Sequence, residues 1–305
     1  QERYLTITIE RKNFEEAKAQ FATIEASMFR SFAELGSKLT PLTGNERLKI
    51  LHDYYRLGRE DEFNFDIRQG RITGTDFRNE ICNTRIKYHP DYFEDEGKVG
   101  RVLFIKKYPT YLSDRFFTEL TFLPVHSVTS VDVVPVPKDL TMKMLQKKYL
   151  GIESDIIKQQ RTRNRNNDFS SDISYATRQK KKDIEEIMNN VRENDESLYY
   201  VSVTMIVMAD NRDELESICE TVDSIAKGAG CAVDTCMYKQ REAVNTTLPI
   251  GVRQIETMRT MLTQSLAVLM PFNVQELCDR NGIYYGVNQI SKNIIVGNRK
   301  KLLNG

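Results

Sequence analysis

The stretch Tyr199 to Val207 constrains the fold more than any other. Tyr199, Val201, Val203, Met205 and Val207 recur with a period of two, which places them on one face of a strand. A helix follows at once: Asp210 or Asn211 can cap it, Leu215, Ile218, Val222 and Ile225 form an apolar stripe, and Gly228 and Gly230 mark its end. Cys231 to Met237 then reads as a strand and Gln240 to Thr246 as a short helix. A β-α-β-α order of this kind needs a sheet on which its helices can bury their stripes.

The same order is legible near the start. Leu5, Ile7 and Ile9 alternate with Tyr4, Thr6 and Thr8 as a strand, and Asn13 with Glu16 opens a helix whose Ala17, Phe21, Ile24, Met28, Phe32 and Leu35 keep helical spacing up to Gly36. A short strand near Lys38 to Leu42 and a helix near Glu46 to Leu57 complete the unit. Residues 4–57 and 199–248 thus share a pattern, though hardly any residue identities. The expected class is α+β: a mixed or antiparallel sheet with helices on one face, pseudo-repeated β-α-β-α units and an inserted antiparallel helical hairpin.

That insertion is residues 138–196. Met142, Leu145, Tyr149, Ile152 and Ile156 follow a 3-4 spacing, and Ile173, Thr177, Ile184, Ile187 and Val191 keep the same frame beyond a polar gap. Two helices with narrow apolar seams predict a coiled-coil hairpin, and arms of about 20 residues would reach roughly 30 Å. Its tip, residues 161–168, gathers Arg161, Arg163 and Arg165. A solvated turn is the simplest reading; binding of phosphate groups, in lipid or nucleic acid, or of an acidic protein face is the alternative.

Elsewhere, Arg101 to Lys107 and Val125 to Val136 read as strands, with Ser113 capping a helix between them that carries Phe116, Phe117 and Leu120. A helix from about Arg253 to Leu269 is expected from Ile255, Met258, Leu262 and Leu269. Asn281-Gly282 signals a hairpin turn, and Ile283 to Val287 and Lys292 to Val296 alternate around Asn288-Gln289. The expected organisation is residues 1–137 as a first α+β part, 138–196 as the hairpin, 197–269 as a second α+β part, and 270–305 as a β-hairpin junction.

Composition excludes several function classes. With 305 residues the length prior is about two domains, or one with a large insertion. Lys plus Arg number 44 against 43 Asp plus Glu, a net charge of +1, which argues against a strongly basic nucleic-acid binder while leaving room for local patches. Five cysteines, Cys82, Cys219, Cys231, Cys236 and Cys278, show no CxxC spacing, and Cys231 and Cys236 should face opposite sides of their strand. No glycine is followed by Lys-Ser or Lys-Thr, so no phosphate-cradling loop is expected. His52, His89 and His126 lack metal-ligand spacing, and Asp91, Glu94, Asp95 and Glu96 read as a solvated turn. No nucleophile motif occurs, so catalysis, cofactors and metals are not expected here.

The C-terminal residues carry one specific likeness. Pro271-Phe272, Tyr284-Tyr285-Gly286 and Asn298-Arg299-Lys300 follow one another within residues 270–305. This stretch resembles the region just before the Walker A loop of conjugative-transfer ATPases of type IV secretion systems, the VirB/TraE-like class, in the form carried by conjugative elements of Gram-positive bacteria. The start at Gln1 and the last residues, Leu303-Asn304-Gly305, fit a piece of a longer polypeptide. The resemblance implies a RecA-like motor in which ATP and magnesium belong to a following ATPase domain. This part would then be the non-catalytic N-terminal region, docking the motor to inner-membrane components of the secretion channel and assisting self-association. It implies a cytoplasmic location at the face of the cell membrane, with peripheral membrane contact open to it. A nucleic-acid-binding module that guides the transferred strand is the alternative.

Overall fold

The computed structural model describes residues 3–56, 59–82, 85–109, 112, 114–121, 123–165, 175–194, 196–270, 282–287 and 294–298. In chain order these hold α1 (Phe14–Glu34), α2 (Gly44–Tyr55), a 3-10 turn (Glu60–Glu62), α3 (Ile67–Thr73), α4 (Arg78–Ile81), β1 (Lys87–Tyr88), β2 (Phe93–Asp95), β3 (Lys98–Lys107), α5 (Asp114–Thr121) and β4 (His126–Pro135). There follow α6 (Lys138–Arg165), α7 (Tyr175–Glu193), β5 (Leu198–Ala209), α8 (Arg212–Gly228), β6 (Ala232–Thr235), α9 (Gln240–Thr247), β7 (Arg259–Leu262), α10 (Thr263–Ala267), β8 (Ile283–Val287) and β9 (Ile294–Gly297).

The strand that dominated the sequence pattern is the centre of the sheet. β5 pairs along its length with β4, from Pro135↔Tyr199 to His126↔Met208. On its other side it pairs with β3, from Val99↔Ala209 to Phe104↔Thr204, and then with β7, from Val201↔Arg259 to Leu198↔Leu262. β2 and β6 share the far side of β3, and β1 pairs with β2; every described pairing is antiparallel. The α+β class and the inserted helical hairpin are therefore as the sequence reads.

Residues 201–207 of β5 are all buried, because both faces of the sheet are covered. Val201, Val203, Met205 and Val207 meet Leu215, Val222 and Ala226 of α8 and Phe116, Phe117 and Leu120 of α5. The intervening Ile206 and Met208 meet Ala243 and Val244 of α9, Tyr54 of α2 and Ile255. Helices pack against the sheet on the first face as expected, and a smaller layer built by α9 and α2 covers the second. Gln240, 2% exposed, is satisfied there: it accepts from the Val102 N–H at 2.9 Å and donates to the Cys236 carbonyl at 3.0 Å, joining α9 to β3. Cys231 and Cys236 fall in opposite cores, as their odd separation requires.

The second β-α-β-α unit is present element by element. Asn211 caps α8 by accepting from the Glu214 N–H at 2.9 Å. Gly230 stands at φ +74 and the Cys231 N–H reaches back to the Ala226 carbonyl at 2.8 Å, the glycine-dependent helix stop that the sequence signals. The first unit keeps only its helices. Asn13 caps α1 through the Glu16 N–H at 2.8 Å, but residues 4–9 and 38–42 form no strand. Residues 4–9 form no ladder and pass beside the loop at Gly251, where the Thr8 hydroxyl donates to the Gly251 carbonyl at 3.3 Å.

The helix expected over 253–269 is also corrected. Residues 252–258 form no regular element, β7 occupies Arg259–Leu262, and only Thr263–Ala267 turns as helix. β3 leaves β5 at Phe104↔Thr204, so the first residues of β5 would expose unpaired backbone groups, and β7 fills that edge. In the last strand pair, β8 and β9 join across residues 288–293, so Asn281-Gly282 precedes the hairpin and is not its turn. Ser113, the proposed cap of α5, lies outside the described residues.

Candidate docking surface

The histidines, the acidic run and the described cysteines that the sequence singles out are packed in the body or ion-paired with their neighbours. His52 is 1% exposed, touches Asp53 at 3.2 Å and lies edge-on to Phe63. His89 reaches Glu94 at 3.0 Å and stacks on Tyr92, and burial lowers the pKa of His126. The acidic run is a hairpin turn: Glu96 and Gly97 both take positive φ between β2 and β3, which is the geometry of a tight turn. Asp91 pairs with Arg101, which also binds Glu216; Glu94 pairs with Lys87 and Glu96 with Arg59. Among the described residues no three His, Cys, Asp or Glu side chains gather as a metal-binding group. Burial pushes the Cys231 thiol up to about 11 and Cys236 up to about 12, so neither offers a thiolate near neutral pH.

What stands out from the body is the hairpin of α6 and α7. Its root is fixed in the sheet: Val136 N–H donates to the Leu198 carbonyl at 2.9 Å, the Thr141 hydroxyl donates to the Pro137 carbonyl at 3.1 Å, and Leu145 is 4% exposed. The Tyr200 hydroxyl reaches the Met144 sulfur at 3.4 Å. Beyond the root the two helices rely on each other. Tyr149, Ile152 and Ile156 of α6 and Thr177, Ile184, Ile187 and Val191 of α7 are half-buried, the seam that the 3-4 spacing predicts. Lys181 of α7 binds Glu153 of α6 at 3.0 Å and lies 5.1 Å from the centre of the Tyr149 ring. That hydrogen bond holds the Glu153 carboxyl below its ordinary range. α6 has 28 residues, a rod of about 42 Å.

The near-zero net charge hides a segregation along this rod. Residues 143–182 hold eleven Lys and Arg against four Asp and Glu, a net +7, which leaves −6 for the rest of the chain. Arg161 is exposed on α6; Arg163 and Arg165 occupy its last turn, and their side chains lie outside the described set, as do residues 166–174. The structure thus places the three arginines on one helix, close to the end of the arm. Sequence reasoning singled out this tip and passed over the lysines behind it, Lys143, Lys147, Lys148, Lys180 and Lys182. Their signal was a local count of charge, which a whole-chain average erases.

The junction residues fall elsewhere. Tyr284 and Tyr285 are 60% and 56% exposed in β8, and a bulge between Tyr284 and Gly286 shifts the register against β9. Asn298 is half-buried just after β9, whereas Pro271, Phe272, Arg299 and Lys300 lie outside the described residues. Ile283, Val287 and Ile294 are also more than half exposed, so this two-stranded sheet leaves apolar side chains uncovered. Among the described residues no helix is long and apolar enough to cross a membrane. No protein-family model matches this chain, and no curated protein matches it either.

Proposed function

We propose that this chain is a non-catalytic docking and assembly domain of a conjugation or type IV secretion ATPase, held at the cytoplasmic face of the cell membrane by inner-membrane channel components. The observation that carries the reading is the arm: a helical hairpin tied to β5 through the Val136–Leu198 and Met144–Tyr200 contacts, with the positive charge of the chain concentrated along it. The junction likeness of residues 271–300 supplies the family, and ATP with magnesium would belong to the domain that follows it. The exposed β8–β9 hairpin offers apolar surface to such a neighbour.

Binding to detergent-solubilised channel components, measured with the whole chain and with an Arg161→Glu, Arg163→Glu, Arg165→Glu variant, tests the role. The triple variant should bind more weakly, and binding should fall with salt because exposed charges are screened over about 8–10 Å. Unchanged binding would remove the tip from the docking surface. ATP turnover by the chain should not exceed a mock preparation. The charge of the arm also favours the second reading, a nucleic-acid contact; a low-salt gel shift with single-stranded and duplex DNA separates the two.

A further inference from the structure

The outer face of α6, opposite its seam, has a composition of its own. Lys143, Lys147, Leu150, Ser154, Ile157 and Arg161 advance by four, three, four, three and four residues, so they line one stripe of the helix. All six are exposed, Leu150 at 63% and Ile157 at 48%. The stripe contains no Asp or Glu, and Lys143, Lys147 and Arg161 make no ion pair among the described residues. From Lys143 to Arg161 it runs about 27 Å.

We propose that this stripe adsorbs to the surface of an anionic phospholipid bilayer, with the cations at the headgroups and Leu150 and Ile157 dipping beneath them. Three features favour lipid over other polyanions. Phosphates of a nucleic acid would engage the bases but leave two large aliphatic side chains in water. Protein hot spots are built chiefly on aromatic and arginine anchors and are poor in lysine, whereas this stripe has two lysines, two aliphatics, a serine, a single arginine at its far end and no aromatic residue. Lysine stems lying along an apolar strip with their ammonium groups raised are the chemistry of a helix resting in a membrane interface. The remainder of the chain, at −6, would be repelled by the same surface, so attraction comes from the arm.

The inference deepens the docking role and rests on it only for the nearness of a membrane. Vesicles contain no channel component, so either can fail while the other stands. The whole chain is sedimented with vesicles of phosphatidylcholine containing about a third phosphatidylglycerol, and with phosphatidylcholine alone. Binding is expected to the anionic vesicles, to be largely lost on the neutral ones, and to weaken about tenfold or more in Lys143→Glu with Lys147→Glu. Leu150→Ser with Ile157→Ser should weaken it by a similar factor. Lys180→Glu with Lys182→Glu, on α7 and off the stripe, should change it by less than half as much on a logarithmic scale. Circular dichroism of each variant checks the fold, and all six substituted side chains are exposed. Absence of binding, equal binding to neutral vesicles, or an equal loss from the α7 variant would overturn the assignment. So would an unchanged Leu150→Ser, Ile157→Ser variant together with a duplex-DNA gel shift.

Discussion

Asp132 is a carboxylate in the wrong place, and removing its charge should stabilise the protein. It stands in β4 opposite Ser202, with Oδ2 buried and lacking a hydrogen-bond partner. Burial pushes its carboxyl up to about 6, and Arg253 opposes that rise only in part. The folded state therefore holds the proton more tightly than the unfolded chain, whose Asp titrates near pH ~3.9. Below that value the group costs nothing; as pH rises from about 4 through 6 stability is lost, and above 6 the penalty is constant. Two pKa units correspond to about 3 kcal/mol, and because the carboxyl is incompletely buried, solvent screening reduces this to about 1–2 kcal/mol. Asp132→Asn keeps the shape and deletes the charge. In urea unfolding at about pH 7.5 it should be more stable than the parent by that amount, and at about pH 4 the two should coincide. A variant that is less stable at pH 7.5, or whose advantage is the same at both pH values, would refute the reasoning.

Other outcomes follow from single contacts. A Cβ added at Gly100 would lie 2.3 Å from the ring of Phe93, itself 3% exposed, so Gly100→Ala should cost about 1–3 kcal/mol of unfolding free energy in the same urea assay. Asn211→Ala removes the cap of α8 and should cost about 1 kcal/mol, read as a lower urea midpoint with an unchanged slope. Because α1 has no buried residue and β5 is buried on both faces, amides of α1 should exchange with solvent long before those of residues 201–207 in a hydrogen-exchange experiment.

Where local chemistry decides the outcome, the sequence was legible. Asn13, Asn211 and Gly230 act through their own hydrogen bonds or φ angles, and each does what its residue type suggests. The seam of the arm was equally readable, because a 3-4 spacing held over five positions suits a helix and nothing else. Pairing is not local. Leu5, Ile7 and Ile9 have the alternation of β5 without a partner strand, whereas residues 259–262 carry a helical spacing and become β7, which pairs the first residues of β5 where β3 does not reach. The second covered face escaped notice for a related reason: Ser202 and Thr204 look like solvent-facing residues, yet Ser202 shares a hydroxyl contact with Thr257, and Thr204 lies 3.0 Å from the Thr247 hydroxyl. Of the docking surface, the arginine tip was visible as a cluster. The stripe from Lys143 to Arg161 becomes visible only once α6 is known to be one uninterrupted helix with its opposite face already used.

In the proposed role the arm, and not the helical face of the body, meets the membrane-bound machinery. Photo-cross-linking in cells carrying the complete secretion apparatus tests it most directly, with a photoreactive amino acid at position 150 or 157 of α6, or at position 220 or 224 on the exposed face of α8. Cross-links to inner-membrane components or lipid are expected from positions 150 and 157 and none from 220 and 224. Cross-links from α8 with a silent α6 would contradict it.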